Sequence, residues 1–464
     1  MPLEALRARS TSSRDSVWTR WGRTGLLPLG VFAYLVIVRT HDISRSFWLL
    51  GDQIRDWTIA LRPWHDLPLT GPPSSVGGAS IGPVFYWVLW GIRQLVGPWT
   101  DNLPHAGGIG LSVIQSLADA VLLVALWHRT SVWLALAVTL LVATAPQDLA
   151  LTATIWNPPL AVAFTKIAIA ATLLTAEAPS IAWTALTAAC AWLAVQAHSS
   201  ALFAAVSVLA VHPLRALLEQ GWPSALKRAG VVTAVIALLQ VPMLVHMIAN
   251  PGERPLPGLV TSGVIYTFTH PTSLRPGASL IALSSATGFI LFSRPESVAF
   301  AVILVLAIAV VVWRRRDLTL VMVSVVPLVL ATLGFATWQY GFDHYWYLTL
   351  MPSTALALLV AVTEWRPLPT SVGLLVVVLA LQPARVAEGR TIARLPEYRL
   401  LVDGSRAIRR HTAAVAAIRT GFPVPPATDR EFLFRILGGQ IREDAPLVAT
   451  IGIDGRVTYT TVSH

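Results

Sequence analysis

Residues 107–127 read GGIGLSVIQSLADAVLLVALW, an apolar run that contains one charged side chain, Asp119. A helix of about 20 such residues crosses the roughly 30 Å hydrocarbon core of a membrane. Similar runs recur along the chain from Leu26 to Ala380. The stretch and its recurrence predict a polytopic membrane protein built of helices.

The composition supports the same fold class. Of the 464 residues, 55% are hydrophobic and 12% are charged, and the mean hydropathy is +0.63, whereas soluble domains carry about 25% charged residues. The net charge of +10 invites a nucleic-acid interpretation, but the basic residues form short clusters between apolar runs, so we predict no nucleic-acid partner. Cys190 is the only cysteine, which excludes an internal disulfide and a cysteine-based metal site.

The basic clusters predict the topology, because lysine and arginine are enriched in short cytoplasmic loops. Five arginines precede the first apolar run, and no small-residue cleavage site follows it, so 1–23 is predicted to be a cytoplasmic N-terminus before a retained signal anchor. If 83–97 lies at the membrane interface, every short basic link falls inside. We therefore predict about eleven transmembrane helices, at 24–39, 107–127, 131–147, 158–176, 180–196, 197–213, 229–249, 298–313, 318–336, 346–363 and 369–383.

The same topology divides the chain into a transmembrane domain, 24–383, and an outer C-terminal domain, 384–464. In the tail, Asp454-Gly455 stands between two runs of β-forming residues, a pattern typical of a hairpin. The predicted fold class is thus an all-α polytopic membrane protein with a small α+β extramembrane C-terminal domain. The predicted outer loops are 40–106, 148–157, 250–297 and 337–345.

The first outer loop contains two acids, Asp52 and Asp56, with Arg55 between them. On a helix the two carboxylates share one face. Beside interfacial tryptophans, such a carboxylate suits a general base acting on a hydroxyl or a metal ligand, while the alternative is a solvated acidic turn. The pair could hold a divalent cation, but two acids without a third ligand are weak evidence, so no cofactor is predicted.

Several short motifs follow one another along most of the chain, and together they resemble the GT-C glycosyltransferases. The closer resemblance is to the branch related to protein O-mannosyltransferases and to the aminoarabinose transferase of lipid A. The motifs are Gly-Asp-Gln-x-x-Asp at 51–56, Leu-x-Gly-Pro-Pro at 69–73, Gly-Pro-x-x-Tyr at 82–86, Thr-Ile-Trp-Asn-Pro at 154–158, Gln-Ala-His at 196–198 and Asp-His-Tyr at 343–345.

The resemblance implies a sugar donor linked to polyprenyl phosphate, a glycan, lipid or protein acceptor, and inversion at the anomeric carbon. Asp52 matches the family's proposed catalytic base, and Asp56 is a secondary candidate. Gln53 replaces the second acid of the family's Asp-Glu pair, and glycine replaces the lysine that precedes Pro-Pro in the aminoarabinose branch. The arginines expected to offset charge on the departing phosphate are Arg45, Arg55 and Arg62.

Other polar and aromatic residues are candidates for substrate binding, each with a structural alternative. Trp156 and Asn157 suit a sugar, but Asn-Pro equally begins a helix. Lys166, about two turns inside a span, would meet the lipid phosphate, or else snorkel or pair with a helix neighbour such as Asp119. The remaining candidates lie at predicted outer ends of spans, where packed or aromatic-belt residues are also common, and are His198, His344 and Tyr345.

The sequence thus predicts a multi-pass glycosyltransferase of a bacterial cytoplasmic membrane that acts on the outer side, with membrane lipid around it. A transporter or flippase for a lipid-linked sugar is the alternative, and it requires polar residues along a path through the membrane. A membrane scaffold is a third interpretation, in which Asp52 has no effect on activity.

Overall fold

The computed structural model describes residues 25–73, 79–175, 180–251, 318–327, 330, 367–392, 394–425 and 428–461. These residues are mostly helical, and a small β structure follows the last long helix. The described helices of four or more residues have these bounds: α1 Leu26–Thr40, α2 Ile43–Ser46, α3 Gly51–Ala60, α4 Val84–Leu95, α5 His105–Arg129, α6 Val132–Ala143, α7 Pro146–Thr152, α8 Asn157–Thr175, α9 Ile181–Ala197, α10 Leu202–Gln220, α11 Trp222–Ala249, α12 Pro367–Ile392, α13 Tyr398–His411 and α14 Phe432–Ile436.

Within the described ranges, six helical segments are long and apolar enough to cross a membrane, and α6 and α9 are shorter apolar helices. The total of about eleven spans stays a prediction. The predicted spans 298–313 and 346–363, and the loop 252–297, lie outside the described residues. Of the predicted span 318–336, the structure describes a helical turn, Leu318–Leu320, and a π-helical segment, Val321–Val325.

One predicted span, 131–147, is wrong at its C-terminal end. Helix α6 ends at Ala143, and the short helix α7 begins at Pro146. Proline has no N–H group and its ring clashes with the preceding turn, so a helix ends before it more readily than it continues. The predicted loop 148–157 therefore begins within a short helix.

Two other predicted spans are displaced. The predicted span 197–213 starts as the 3₁₀ turn Ser199–Ala201, and α10 then continues through Pro213 to Gln220. Gly221, at φ +83°, separates α10 from α11, which begins before the predicted 229. The basic residues between these two predicted spans, which form one of the short links predicted to be cytoplasmic, consequently lie within helices, and they are Arg215, Lys227 and Arg228.

Helix α12 continues through Pro383 to Ile392, past the predicted domain boundary at 383. Proline is tolerated inside membrane helices because neighbouring groups satisfy the backbone carbonyl that it leaves free. The last residues of α12 are mostly polar, so the hydropathy pattern ended the predicted span before the helix itself ends.

Helix α4 occupies the segment whose crossing of the membrane was in question. Its 12 residues make it about 18 Å long, which is less than the hydrocarbon thickness. One side is buried against the bundle through Phe85, Leu89 and Ile92, while Leu95 is 77% exposed. An interfacial position for α4 stays a prediction, and its length is consistent with that position.

The tail contains a three-stranded sheet in the order β2-β4-β5 and a two-stranded parallel pair, β1-β3. Strands β4 and β5 are antiparallel and are joined by a turn at Gly455, whose φ is +76°. This is the hairpin predicted from Asp454-Gly455. The strands are β1 Ala414–Val415, β2 Ala417–Thr420, β3 Gln440–Ile441, β4 Leu447–Ile451 and β5 Val457–Thr461.

The tail packs on the first loop, at the end of the bundle where α1 finishes and α5 begins. Leu395, in the segment after α12, contacts α2, and Tyr398, the first residue of α13, contacts the start of α5. The polar contacts between tail and loop are Leu395 N to Ser46 O at 3.0 Å, Tyr398 hydroxyl to His105 Nδ1 at 3.1 Å, Arg406 Nη2 to Asp101 Oδ2 at 2.6 Å and Thr428 Oγ1 to Leu49 O at 2.8 Å.

Candidate active site

Helix α3 carries the two acids of the first loop and brings both to one guanidinium. Arg55 Nη1 lies 2.7 Å from Asp52 Oδ1, and Arg55 Nε lies 2.8 Å from Asp56 Oδ1. Asp52 is in the first turn of α3, where the helix dipole stabilises a negative charge. Its side chain is 54% exposed, whereas that of Asp56 is fully buried. The pair therefore consists of one accessible carboxylate and one anchoring carboxylate.

Asp56 holds Arg55 from the protein side. The Tyr86 hydroxyl donates to Asp56 Oδ1 at 3.1 Å, and Asp56 Oδ2 is buried without a hydrogen-bond partner in the described part of the chain. Burial raises the pKa of Asp56 to about 6, although the hydrogen bonds and charge of Arg55 oppose this shift. Burial, followed by the negative charge of Asp56, raises the pKa of Tyr86.

Gln53 fixes the start of α3 against the segment between α7 and α8. Its Oε1 accepts a hydrogen bond from Leu50 N at 3.1 Å, and its Nε2 donates to Ile155 O at 3.2 Å. The side chain is 2% exposed. A glutamate here would place a carboxylate against the Ile155 carbonyl, where only a donor fits. The Gln53 amide, next to Asp52 in the chain, thus has a structural role.

We expect Gln53→Glu to destabilise the protein in a pH-dependent way. Burial favours the protonated glutamic acid, which can donate to Ile155 O, so the stability deficit relative to the wild type should shrink as pH falls from about 8 to 5. Thermal unfolding in detergent across this range measures the effect. Gln53→Met loses both hydrogen bonds without adding a charge, so its deficit should not change with pH; a pH-independent deficit in Gln53→Glu would contradict this role.

The Gly/Pro loop after α3 is held by its own backbone and by α9. Gly71 N donates to Ser80 O at 3.0 Å, and Ser80 N donates to Pro72 O at 2.9 Å. A Cβ at Gly82 would overlap the side chain of Gln196. Glycine at 82 therefore allows the close approach of the loop to the C-terminal end of α9.

Asn157 and His198, two of the predicted binding residues, join the start of α8 to the end of α9. Asn157 Nδ2 donates to Ala197 O at 2.8 Å, and His198 Nδ1 accepts from Ser200 N at 3.2 Å. Trp156 is half-buried and packs against the apolar core. The structure brings these three together beside Ile155, the contact of Gln53, and gives Asn157 and His198 local structural partners.

Lys166 is fully buried, and its ammonium forms an ion pair with Asp119. Lys166 Nζ lies 2.7 Å from Asp119 Oδ1 and 3.8 Å from Asp148 Oδ1. Arg39 Nη2 bridges the other oxygens of the same acids, at 2.7 Å from Asp119 and 2.6 Å from Asp148. The pairing alternative for Lys166 thus describes its position. We call Arg39, Asp119, Asp148 and Lys166 the charge quartet.

Two further arginines predicted to contact phosphate form no ion pair with Asp52 among the described residues. Arg45 is exposed and lies 3.8 Å from Asp42, and Arg62 is exposed beyond the end of α3. His344 and Tyr345 lie outside the described residues. Among the described residues, no group of three or more His, Cys, Asp or Glu side chains is arranged to hold a metal ion.

Sequence reasoning did not assign the roles of Tyr86, Arg39 and Asp148. Tyr86 was part of a loop motif, and nothing in its spacing indicated a bond to Asp56. Arg39 and Asp148 each lie at the end of an apolar run, and Asp119 and Lys166 each lie within one. Charges placed in this way in separate spans were a signal that they neutralise one another.

The described helices, six of them long and apolar enough to cross a membrane, and the small β tail indicate a multi-pass membrane protein, and its fold is shared with solved structures of ArnT. The chain is similar to the crystal structure of ArnT from Cupriavidus metallidurans bound to undecaprenyl phosphate, with a TM-score of 0.56, 14% identity, and coverage of 89% of this chain and 85% of that chain. The apo state of the same ArnT gives a TM-score of 0.54 at 14% identity, over 89% of this chain and 85% of that one. No family model and no curated protein matches the sequence.

Proposed function

We propose that this protein is a glycosyltransferase that moves a sugar from a polyprenyl-phosphate carrier to an acceptor on the outer side of a bacterial cytoplasmic membrane. The observation that carries the proposal is the exposed Asp52 carboxylate, held by Arg55 at the end of a GT-C bundle. The structural neighbour ArnT binds undecaprenyl phosphate. The sugar is a hexose or a pentose, and the acceptor is a glycan, a lipid or a protein.

Asp52 serves as the general base in this proposal. It removes the proton of the acceptor hydroxyl while that oxygen forms a bond to the anomeric carbon and the bond from this carbon to the phosphate oxygen breaks. The bonding electrons leave with polyprenyl phosphate, and the configuration inverts. Because phosphate is a good leaving group, one carboxylate suffices, and Arg55 orients it while Arg45 and Arg62 offset the charge of the phosphate.

The tail, 384–464, is proposed to be an outer domain that covers the site or selects the acceptor. Its support is the contact of Thr428 with Leu49, close to the start of α3, and of Leu395 with Ser46. These contacts make the first loop and the tail one structural unit. A change of acceptor would accordingly be accommodated in the tail rather than in the membrane helices.

Activity is expected to fall as pH drops through about 6, because protonation of Asp56 removes the charge that anchors Arg55. The pKa of Asp56 is raised in the folded protein, so between its unfolded value near 4 and about 6 the stability rises as pH falls. The wild type should thus lose turnover between pH 7 and pH 5.5 without unfolding. Asp56→Asn should be slower and nearly flat over this range, and an unchanged acid limb in that variant would refute the assignment.

The alternative, a transporter or flippase for a lipid-linked sugar, requires polar groups along a path. Lys166 and Asp119 are fully buried and paired with each other, which favours a structural role and gives the transport alternative little support. To test the proposed function, membranes containing the overexpressed protein are compared with vector membranes for consumption of a panel of polyprenyl-phosphate sugars. Consumption with release of polyprenyl phosphate supports transfer; no consumption across the panel favours transport.

A further inference from the structure

The end of α12 and the linker that follows it carry two arginines, Arg390 and Arg394, that form no ion pair with an acidic residue in the described part of the chain. Both are half-buried. Arg394 Nη1 lies 3.5 Å from Ser46 Oγ, and Arg390 Nε is buried without a hydrogen-bond partner among the described residues. In that same part of the chain, no carboxylate forms an ion pair with either arginine. Such burial of cations is costly unless an anion accompanies them.

Asp42 is the acid whose negative charge acts on Arg394, and it already has two basic neighbours. Its carboxylate lies 3.0 Å from His41 Nε2 and 3.8 Å from Arg45 Nη1. Burial and the charge of Arg390 lower the pKa of Arg394 to about 10, against the opposing effect of Asp42. The cluster of His41, Arg45, Arg390 and Arg394 is therefore more positive than its described carboxylate can offset.

This cluster stands at the end of an apolar surface that faces away from the bundle. On α1, Ile37 is 65% exposed, and on α12, Val376 is 59% exposed. The two helices are joined across the seam by a hydrogen bond from the Tyr34 hydroxyl to Gln382 Oε1 at 3.1 Å. In a membrane, cations just beyond such a surface lie at the depth of the lipid phosphates.

We propose that Arg390 and Arg394 bind the phosphate of an anionic membrane lipid at the seam between α1 and α12. Two guanidinium forks match the oxygens of one phosphate and supply donors that the protein leaves unused. The lipid chains lie along the exposed apolar residues of α1 and α12. The phosphate belongs either to an anionic phospholipid or to a polyprenyl phosphate, and the site does not depend on the proposed glycosyl transfer.

Lipid binding to the purified full chain in detergent tests this site. Native mass spectrometry is used to titrate phosphatidylglycerol, undecaprenyl phosphate and phosphatidylcholine against the wild type and Arg390→Gln/Arg394→Gln. We expect the double variant to bind its anionic lipid about tenfold more weakly or worse. Arg409→Gln/Arg410→Gln removes the same charge from two exposed arginines of α13 and should keep the wild-type affinity.

The lipid arms identify the source of the phosphate. Selective binding of phosphatidylglycerol identifies a phospholipid site, and selective binding of undecaprenyl phosphate identifies a site for the carrier. Selective binding of either lipid, or of both, supports the proposal if the double variant loses that binding. The proposal is overturned if the double variant binds the anionic lipids as tightly as the wild type does. It is also overturned if the wild type binds phosphatidylcholine as tightly as the anionic lipids. If the double variant does not fold, Arg394→Gln alone is compared with Arg409→Gln by the same criteria.

Discussion

Asp52→Asn is expected to lower glycosyl transfer by about 10²–10⁴-fold, the range over which a general base accelerates proton transfer. Asparagine keeps the size and the position of the side chain but cannot accept the acceptor's proton. Asp52 is exposed, and its removal frees only one arm of Arg55, so the fold should be preserved. The rate at saturating donor measures this loss, and the donor affinity should change much less than the turnover.

Two companion variants separate catalysis from charge. Asp66→Asn removes the same charge from an exposed residue of the same loop and should leave the turnover unchanged. Asp52→Glu keeps a carboxylate but moves it by one methylene, so it should retain part of the activity. Two results would contradict the assignment of Asp52 as a general base. One is a wild-type turnover in Asp52→Asn, and the other is a loss of turnover in Asp66→Asn as large as that in Asp52→Asn.

Lys166→Met is expected to destabilise the folded protein by about 3–5 kcal/mol, the cost of leaving a buried charge without its partner. The charge quartet is formally neutral, with Arg39 and Lys166 facing Asp119 and Asp148. Methionine fills a similar volume but leaves two carboxylates to share Arg39. Thermal unfolding in detergent measures the loss, which should appear as reduced stability before any effect on the chemistry.

Compensation within the quartet provides the control. Lys166→Met/Asp148→Asn restores formal neutrality, because Arg39 then faces Asp119 alone. We expect this double variant to be more stable than Lys166→Met, although both carry the same loss at 166. A double variant that is less stable than the single one by the full cost of a second substitution would contradict electrostatic compensation and indicate packing as the cause.

The long apolar helices were predicted well from the sequence, and their limits show why. Residues 107–127 and 158–176 correspond to α5 and α8 within a few residues, since hydropathy falls sharply at both ends. The same pattern continued past Ala143 because Pro146 lies inside an apolar run and interrupts the helix through its backbone alone. For α12 the predicted span ended too early, at 383, because the last turns of the helix are mostly polar but still helical.

The candidate site was predicted as far as local spacing allows. Asp52, Arg55 and Asp56 lie within one helix, so their shared contact followed from the period of the helix. The bond of Asp56 to Tyr86 and the charge quartet join residues far apart in the chain. Sequence spacing does not decide between such pairings. The sequence left Lys166 either to meet a lipid phosphate or to snorkel or pair with a neighbour such as Asp119, and the fold shows the pair with Asp119.

The central claim is tested most directly by a single-turnover measurement on the purified full chain in lipid nanodiscs. The protein is mixed with the polyprenyl-phosphate sugar that the panel identifies, labelled on its sugar, and with a membrane extract that contains the acceptor. The account predicts that the wild type releases polyprenyl phosphate in step with labelling of the acceptor and that Asp52→Asn does neither. Release and labelling by Asp52→Asn at the wild-type rate would contradict it.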